Sequence, residues 1–125
     1  MLKITCWPLL TASALATALF VSPAALAHAH LKNQYPAANA KVEASPQALT
    51  LTFSEDIEPA FSGATLTNEK QQPMPTGKVG RTAAKHNQMI VPLEKPLPGG
   101  EYQVDWHVLS VDGHKTQGKY SFSVK

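Results

Sequence analysis

The side chains of this sequence that could carry chemistry are histidines and carboxylates. Five histidines are present, and one of them closes the tripeptide Asp112-Gly113-His114. In an extended segment, residues two apart project to the same side, so Asp112 and His114 can present a carboxylate oxygen and an imidazole nitrogen to one point. Gly113 allows a close approach. Asp-Gly is also a common turn dipeptide, so the tripeptide alone does not specify a ligand site.

The first 27 residues have the pattern of a secretory signal peptide. Lys3 is their only charged side chain, an apolar run follows it, and Ala25-Leu26-Ala27 is a small-residue cleavage site. A membrane anchor is the alternative, because the run approaches bilayer-spanning length, but Pro23 and the cleavage site favour removal. Residues 28–125 would then be the mature domain, exported to a compartment that permits disulfides. Cys6 leaves with the signal, which excludes thiolate metal sites.

Cleavage after Ala27 would make His28 the first residue, and an N-terminal histidine can chelate a metal ion. Its α-amine and imidazole Nδ1 close a six-membered ring around the ion, and nitrogen donors of this kind favour Cu(II). With Asp112 and His114, His28 would complete a set of three nitrogens and one oxygen, suited to one tetragonal Cu(II) per domain. The sequence alone does not bring these segments together, and a frayed terminus is the ordinary fate of a terminal histidine.

Alternation of apolar and polar residues with period 2 predicts an all-β domain after residue 27. The strongest predicted strands are Leu49–Phe53, Tyr102–Val108 and a last strand that begins near Gly118 and includes Tyr120–Val124; weaker ones are Leu31–Tyr35, Ala64–Thr67 and Gln88–Leu93. Pro92 indicates an edge or a bulge. Residues 68–87 lack clear periodicity and are expected to form a long connection or a hairpin excursion. Six or seven short strands favour an immunoglobulin-like Greek-key β-sandwich, with the Asp112 loop at one end.

The charge pattern excludes a nucleic-acid partner. The chain has 11 Lys and Arg against 9 Asp and Glu, and the two signs are interspersed along it. A phosphate-binding surface needs clustered positive charge instead.

The domain is expected to act as a monomer.

The mature chain resembles the CopC family of periplasmic copper-resistance proteins, and its YobA-type members in particular. The stretches that carry the resemblance are HAHL (28–31) with YPA (35–37), LTFSE (51–55), GEYQVDWHV (100–108), and SVDGH (110–114) leading into GKYSF (118–122). The resemblance implies a Cu(II) site at His28, Asp112 and His114, with Glu55 near the copper. It also implies a carrier or buffer in copper resistance and homeostasis, with a CopD-type inner-membrane copper transport protein as partner.

His30 leaves two alternatives open. If His28 is terminal, the α-amine, two backbone amides and the His30 imidazole could wrap Cu(II) without a folded partner. Cleavage after Ala29 would instead make His30 the terminal ligand, because residues 27–29 also fit the cleavage pattern. The resemblance favours His28 as the first residue, which makes His30 a neighbour of the site or the start of the first strand.

One departure from the family pattern concerns Cu(I). Methionine-rich members carry a separate Cu(I) site in the long central loop, whereas that region here offers only Met74, His86 and Met89. We expect Met89 in the core and His86 in solvent, and therefore no strong Cu(I) site.

Two other functional classes fit parts of the pattern. An N-terminal histidine that chelates copper is also how lytic polysaccharide monooxygenases activate oxygen. A carboxylate from Asp112 in the coordination plane would hinder copper reduction, however, and no extended aromatic surface is evident, so we expect no enzyme. A metal-free adhesion module would need no role for His28.

Overall fold

The computed structural model describes residues 29–125, and nearly all of their regular structure is β-strand. The strands are β1 Leu31–Tyr35, β2 Lys41–Val42, β3 Ala48–Phe53, β4 Gly63–Asn68, β5 Pro73–Met74, β6 Gln88–Pro92, β7 Gly100–Leu109 and β8 Lys115–Val124, with a 3-10 turn at Pro59–Phe61. One sheet has the order β1-β3-β6 and the other β2-β8-β7-β4-β5. The predicted immunoglobulin-like β-sandwich is confirmed. Within the described residues, no helix has the length and apolar character needed to cross a membrane.

The two sheets pack through the apolar faces that the alternation predicted. In β3 the buried positions are Leu49, Leu51 and Phe53, and the threonines between them are only half-buried. Trp106 of β7 meets Phe53 edge-on, with ring centroids 5.2 Å apart and an interplanar angle of 65°. Fully burying one such side chain contributes about 1.5–3 kcal/mol, so these facing rows hold the sheets together.

The structure extends the predicted strands in two respects. β8 begins at Lys115 rather than near Gly118, because the polar residues Lys115–Gln117 pair in register with His107–Leu109 of β7. The two-residue strands β2 and β5 were not predicted, since two residues are too few to show an alternation. β5 pairs with β4, so the start of the long connection is a hairpin.

The edge position predicted from Pro92 is also confirmed. β6 is the edge strand of the three-stranded sheet, and Pro92 is its last residue. Met89 of the same strand is fully buried in the core, as predicted, and His86 is exposed in the loop before it.

The strand register sets which loops meet at one end of the sandwich. β1 begins opposite the end of β3, with Leu31 paired to Phe53. β7 and β8 form a hairpin whose last pair is Leu109 with Lys115. An isolated antiparallel bridge between Ile57 and Ser110 joins the segment after β3 to the loop of this hairpin. The start of β1, the segment after β3 and residues 110–114 are therefore neighbours.

Gly118 provides a test of this packing. A Cβ atom there would lie 2.6 Å from Cζ2 of Trp106, so Gly118→Ala must displace the indole from its place against Phe53. We expect a destabilisation of about 1–3 kcal/mol, the usual cost of overpacking a core, measured by denaturant unfolding followed by circular dichroism.

Gly80→Ala is the matched control for this variant. A Cβ at Gly80 meets nothing within 4 Å, and its effect should stay within about 0.5 kcal/mol. Equal unfolding midpoints for the two variants would contradict the packing described here.

Candidate metal centre

The loop between β7 and β8 is closed by backbone hydrogen bonds into a tight turn. The Ser110 N–H donates to the His114 carbonyl at 2.9 Å, and the Gly113 N–H donates to the Ser110 carbonyl at 2.9 Å. Gly113 has a φ of 93°, in the left-handed region that favours glycine. The turn brings the side chains on either side of Gly113 to the same side of the loop.

Asp112 and His114 meet at the tip of this loop. His114 Nδ1 lies 3.2 Å from Asp112 Oδ1, and the side chains of His114 and Asp112 are 46% and 40% exposed, respectively. Adjacent ligands in a square plane, each about 2 Å from a metal ion, are separated by about 2.8 Å. The carboxylate and the imidazole are thus within reach of one ion, and solvent has access to both.

A third residue of the loop, Ser110, organises this pair. It is only 1% exposed, its hydroxyl donates to Asp112 Oδ1, and the hydroxyl oxygen accepts a bond from the His114 N–H at 3.3 Å. The hydrogen bond from Ser110 is the main cause that lowers the pKa of the Asp112 carboxyl. The sequence pattern had assigned Ser110 no role. Its position two residues before Asp112 was the available signal, because a serine there can bond to the turn that follows.

The start of the described chain is anchored beside the same loop. Ala29 is 1% exposed, and its carbonyl accepts a hydrogen bond of 2.9 Å from the hydroxyl of Thr116, two residues beyond His114. His30 and Ser54 pair as an extension of β1 and β3: the His30 N–H donates to Ser54 Oγ at 2.8 Å, and the Ser54 N–H donates to the His30 carbonyl at 2.8 Å.

The remaining predicted site residues have different positions. His28 lies outside the described residues, as does the predicted signal peptide. The His30 side chain is exposed, and Glu55, half-buried, directly follows the Ser54 that pairs with His30. Within residues 29–125, no group of three or more His, Cys, Asp or Glu side chains could hold a metal ion.

Fold and loop together define a two-sheet β-sandwich that presents an Asp–His pair at one end. A CopC domain model matches residues 31–125, and the chain belongs to the CopC family. Protein YobA of Escherichia coli strain K12 is 54% identical over 114 residues, which span 91% of this chain and 92% of that protein.

Two solved structures that share the fold are 33% and 38% identical in sequence to this chain. CopC from Methylosinus trichosporium OB3b matches with a TM-score of 0.74 and 33% identity, over 78% of this chain and 94% of that one. PcoC from Escherichia coli, described as a methionine-rich copper resistance protein, matches with a TM-score of 0.69 and 38% identity, over 78% of this chain and 99% of that one. The chain therefore spans nearly the full length of these relatives.

The anchor at Ala29 can be tested without a metal. Thr116→Val keeps the side-chain shape but removes the donor to the Ala29 carbonyl. A net hydrogen bond contributes about 0.5–1.5 kcal/mol, so we expect the amide protons of His30 and Ser54 to exchange about 2- to 10-fold faster, measured by hydrogen exchange and NMR.

Thr65→Val is the control for the loss of a strand threonine hydroxyl. Thr65 is exposed on β4, and this variant should leave the exchange of the same two amides unchanged. Unaltered exchange in Thr116→Val would show that the anchor does not hold the opening segment.

Proposed function

We propose that this protein is a periplasmic Cu(II) carrier or buffer that acts in copper resistance and homeostasis. One Cu(II) binds to the α-amine and imidazole of His28, to Asp112 and to His114. The observation that carries the proposal is the bond from Thr116 to the carbonyl of Ala29. It tethers the residue that follows His28 to the strand on which the Asp112–His114 loop is built. Membership of the CopC family, with a copper resistance protein among the structural relatives, supports copper as the metal.

The alternative in which the first three residues wrap the copper fits the structure less well. That mode needs deprotonated amide nitrogens of Ala29 and His30 as ligands. The His30 N–H is already donated to Ser54, and Ala29 is buried in the hydrophobic core. Wrapping would break the hydrogen bond from His30 to Ser54 and draw Ala29 out of the core. The proposed ligand set leaves both residues in place.

The position of the Asp112–His114 pair on an exposed loop also supports a role in copper transfer. The exposed faces of Asp112 and His114 allow a partner to approach the ion, as a carrier requires. Glu55 follows the Ser54–His30 pairing, which supports a place for its carboxylate near the N-terminal amine. We infer a monomeric carrier that exchanges copper with a CopD-type inner-membrane protein and performs no catalysis.

The first test concerns the N-terminal amine. The protein is exported, its first residue is identified by intact mass, and Cu(II) affinity is measured by competition with a chelator. A version with one glycine ahead of His28 should bind Cu(II) more weakly by orders of magnitude, because it loses the amine and displaces the imidazole.

Variants of the other ligands complete this test. Asp112→Ala and His114→Ala should also weaken binding, and His30→Ala should have little effect. Equal affinity with and without the added glycine would exclude the chelate, and loss of copper in the His30 variant alone would establish the wrapping mode.

The second test concerns pH and oxidation state. Protons compete with Cu(II) for the amine and the imidazoles, so affinity should fall as the pH drops. The hydrogen bond from Ser110 lowers the pKa of the Asp112 carboxyl, so this ligand stays ionised to a more acidic pH than an ordinary carboxyl. The nitrogen ligands should therefore be lost first as the pH falls.

Cu(I) should bind far more weakly than Cu(II), because these nitrogen and oxygen donors lack sulfur. Competitive titrations with Cu(I) and Cu(II) chelators across pH would measure both effects. Comparable affinities, or rapid copper-dependent oxygen consumption with ascorbate, would favour an oxidative enzyme over a carrier.

A further inference from the structure

Ser110 is a buried polar residue whose backbone is fixed on both sides. The Glu58 N–H donates to the Leu109 carbonyl at 2.8 Å, and the Val111 N–H donates to the Asp56 carbonyl at 3.1 Å. Between these bonds Ser110 bridges to Ile57. The backbone that carries this hydroxyl is therefore held by the segment after β3 as well as by the bonds within the loop.

The Ser110 hydroxyl has a single proton, so it can donate only one hydrogen bond. Ser110 Oγ lies within bonding distance of Asp112 Oδ1 and of the His114 carbonyl, the latter at 3.1 Å. The His114 carbonyl already accepts the backbone N–H of Ser110, whereas the carboxylate is the stronger, charged acceptor. The proton therefore goes to Asp112, and the oxygen accepts the N–H of His114.

The contacts to the Asp112 carboxylate converge on one of its oxygens. Ser110 Oγ, the His114 N–H at 3.4 Å and His114 Nδ1 at 3.2 Å all approach Oδ1. None of these three bonds uses Oδ2. One oxygen is held against the loop, and the rotation of the carboxylate is fixed by a donor that is itself buried.

We propose that Ser110 is a positioning residue of the copper site, whose hydroxyl holds the Asp112 carboxylate beside His114 before the metal arrives. The inference rests on the proposed function. Groups that hydrogen-bond to metal ligands orient them, and their loss typically costs about 10- to 100-fold in metal affinity. Ser110→Ala should lower Cu(II) affinity by that factor and change the electron paramagnetic resonance spectrum of the bound Cu(II).

Ser62 supplies a matched control for the loss of a buried hydroxyl at the same end of the sandwich. It is 9% exposed, its hydroxyl donates to the Glu58 carbonyl at 2.8 Å, and it accepts the Leu109 N–H at 3.1 Å. Both bonds link the Ser62 hydroxyl to backbone groups, and neither involves Asp112 or His114. Ser62→Ala should therefore lower the unfolding temperature of the metal-free protein but leave Cu(II) affinity and the spectrum unchanged.

Two further variants separate positioning from general loosening of the loop. Ser110→Thr keeps the hydroxyl and should restore the wild-type spectrum. In an Asp112→Ala background, Ser110→Ala should cost no further affinity, because the residue through which it acts is gone.

The experiment is a chelator-competition titration of Cu(II), with spectra, on the exported wild type and on each variant. Failure of the wild type to bind Cu(II) would overturn the proposed function itself. A wild type that binds tightly beside an unchanged Ser110→Ala would overturn only the role of Ser110. If Ser110→Ala lowers Cu(II) affinity by the same factor with and without Asp112→Ala, the role of Ser110 is also overturned. Ser110 would then act on the loop and not on the carboxylate.

Discussion

In the proposed copper site, a hydrogen bond from the hydroxyl of Thr116 to the carbonyl of Ala29 ties the opening segment to the strand that follows the Asp112–His114 loop. Thr116 belongs to the five-stranded sheet, and Ala29 leads into β1 of the three-stranded sheet. The residues are 87 apart in sequence, so no local preference of the chain could bring them together. The contact exists because β1 starts, and the β7–β8 hairpin turns, at the same end of the sandwich.

The fold that supports this contact does not use the proposed ligands. The core consists of apolar side chains from both sheets, with Phe53 and Trp106 in edge-on contact within it. Asp112 and His114 lie outside it, on an exposed loop. Metal-dependent small domains differ, because their ligands replace a core and the metal supplies the folding energy. Here copper would add stability to a state that the hydrophobic core already defines, by binding to the native form.

The elements that could be predicted from the sequence are those with long patterns. β3 and β7 were predicted because several consecutive alternations of apolar and polar residues are typical of a half-buried strand, while the two-residue strands β2 and β5 leave no pattern. That Asp112 and His114 can face one point was predicted from their spacing, and their role as copper ligands was implied by the resemblance to the CopC family. The roles of Ser110 and Thr116 were not, because each depends on a partner that only the tertiary structure or the turn geometry supplies. A hydroxyl residue in a strand or turn resembles an ordinary surface residue until its acceptor is known.

The arrangement of the loop also bears on how a carrier can both hold and release copper. Two of the proposed ligands, Asp112 and His114, lie side by side on a loop that backbone hydrogen bonds close. Such preorganisation reduces the entropy lost on binding. In the proposed site, the remaining donors belong to His28, at the chain end that signal-peptide cleavage would create. In the proposed site, a partner could therefore remove the terminal chelate while Asp112 and His114 still hold the ion. Release would proceed by stepwise exchange of ligands, with no need to unfold the sandwich.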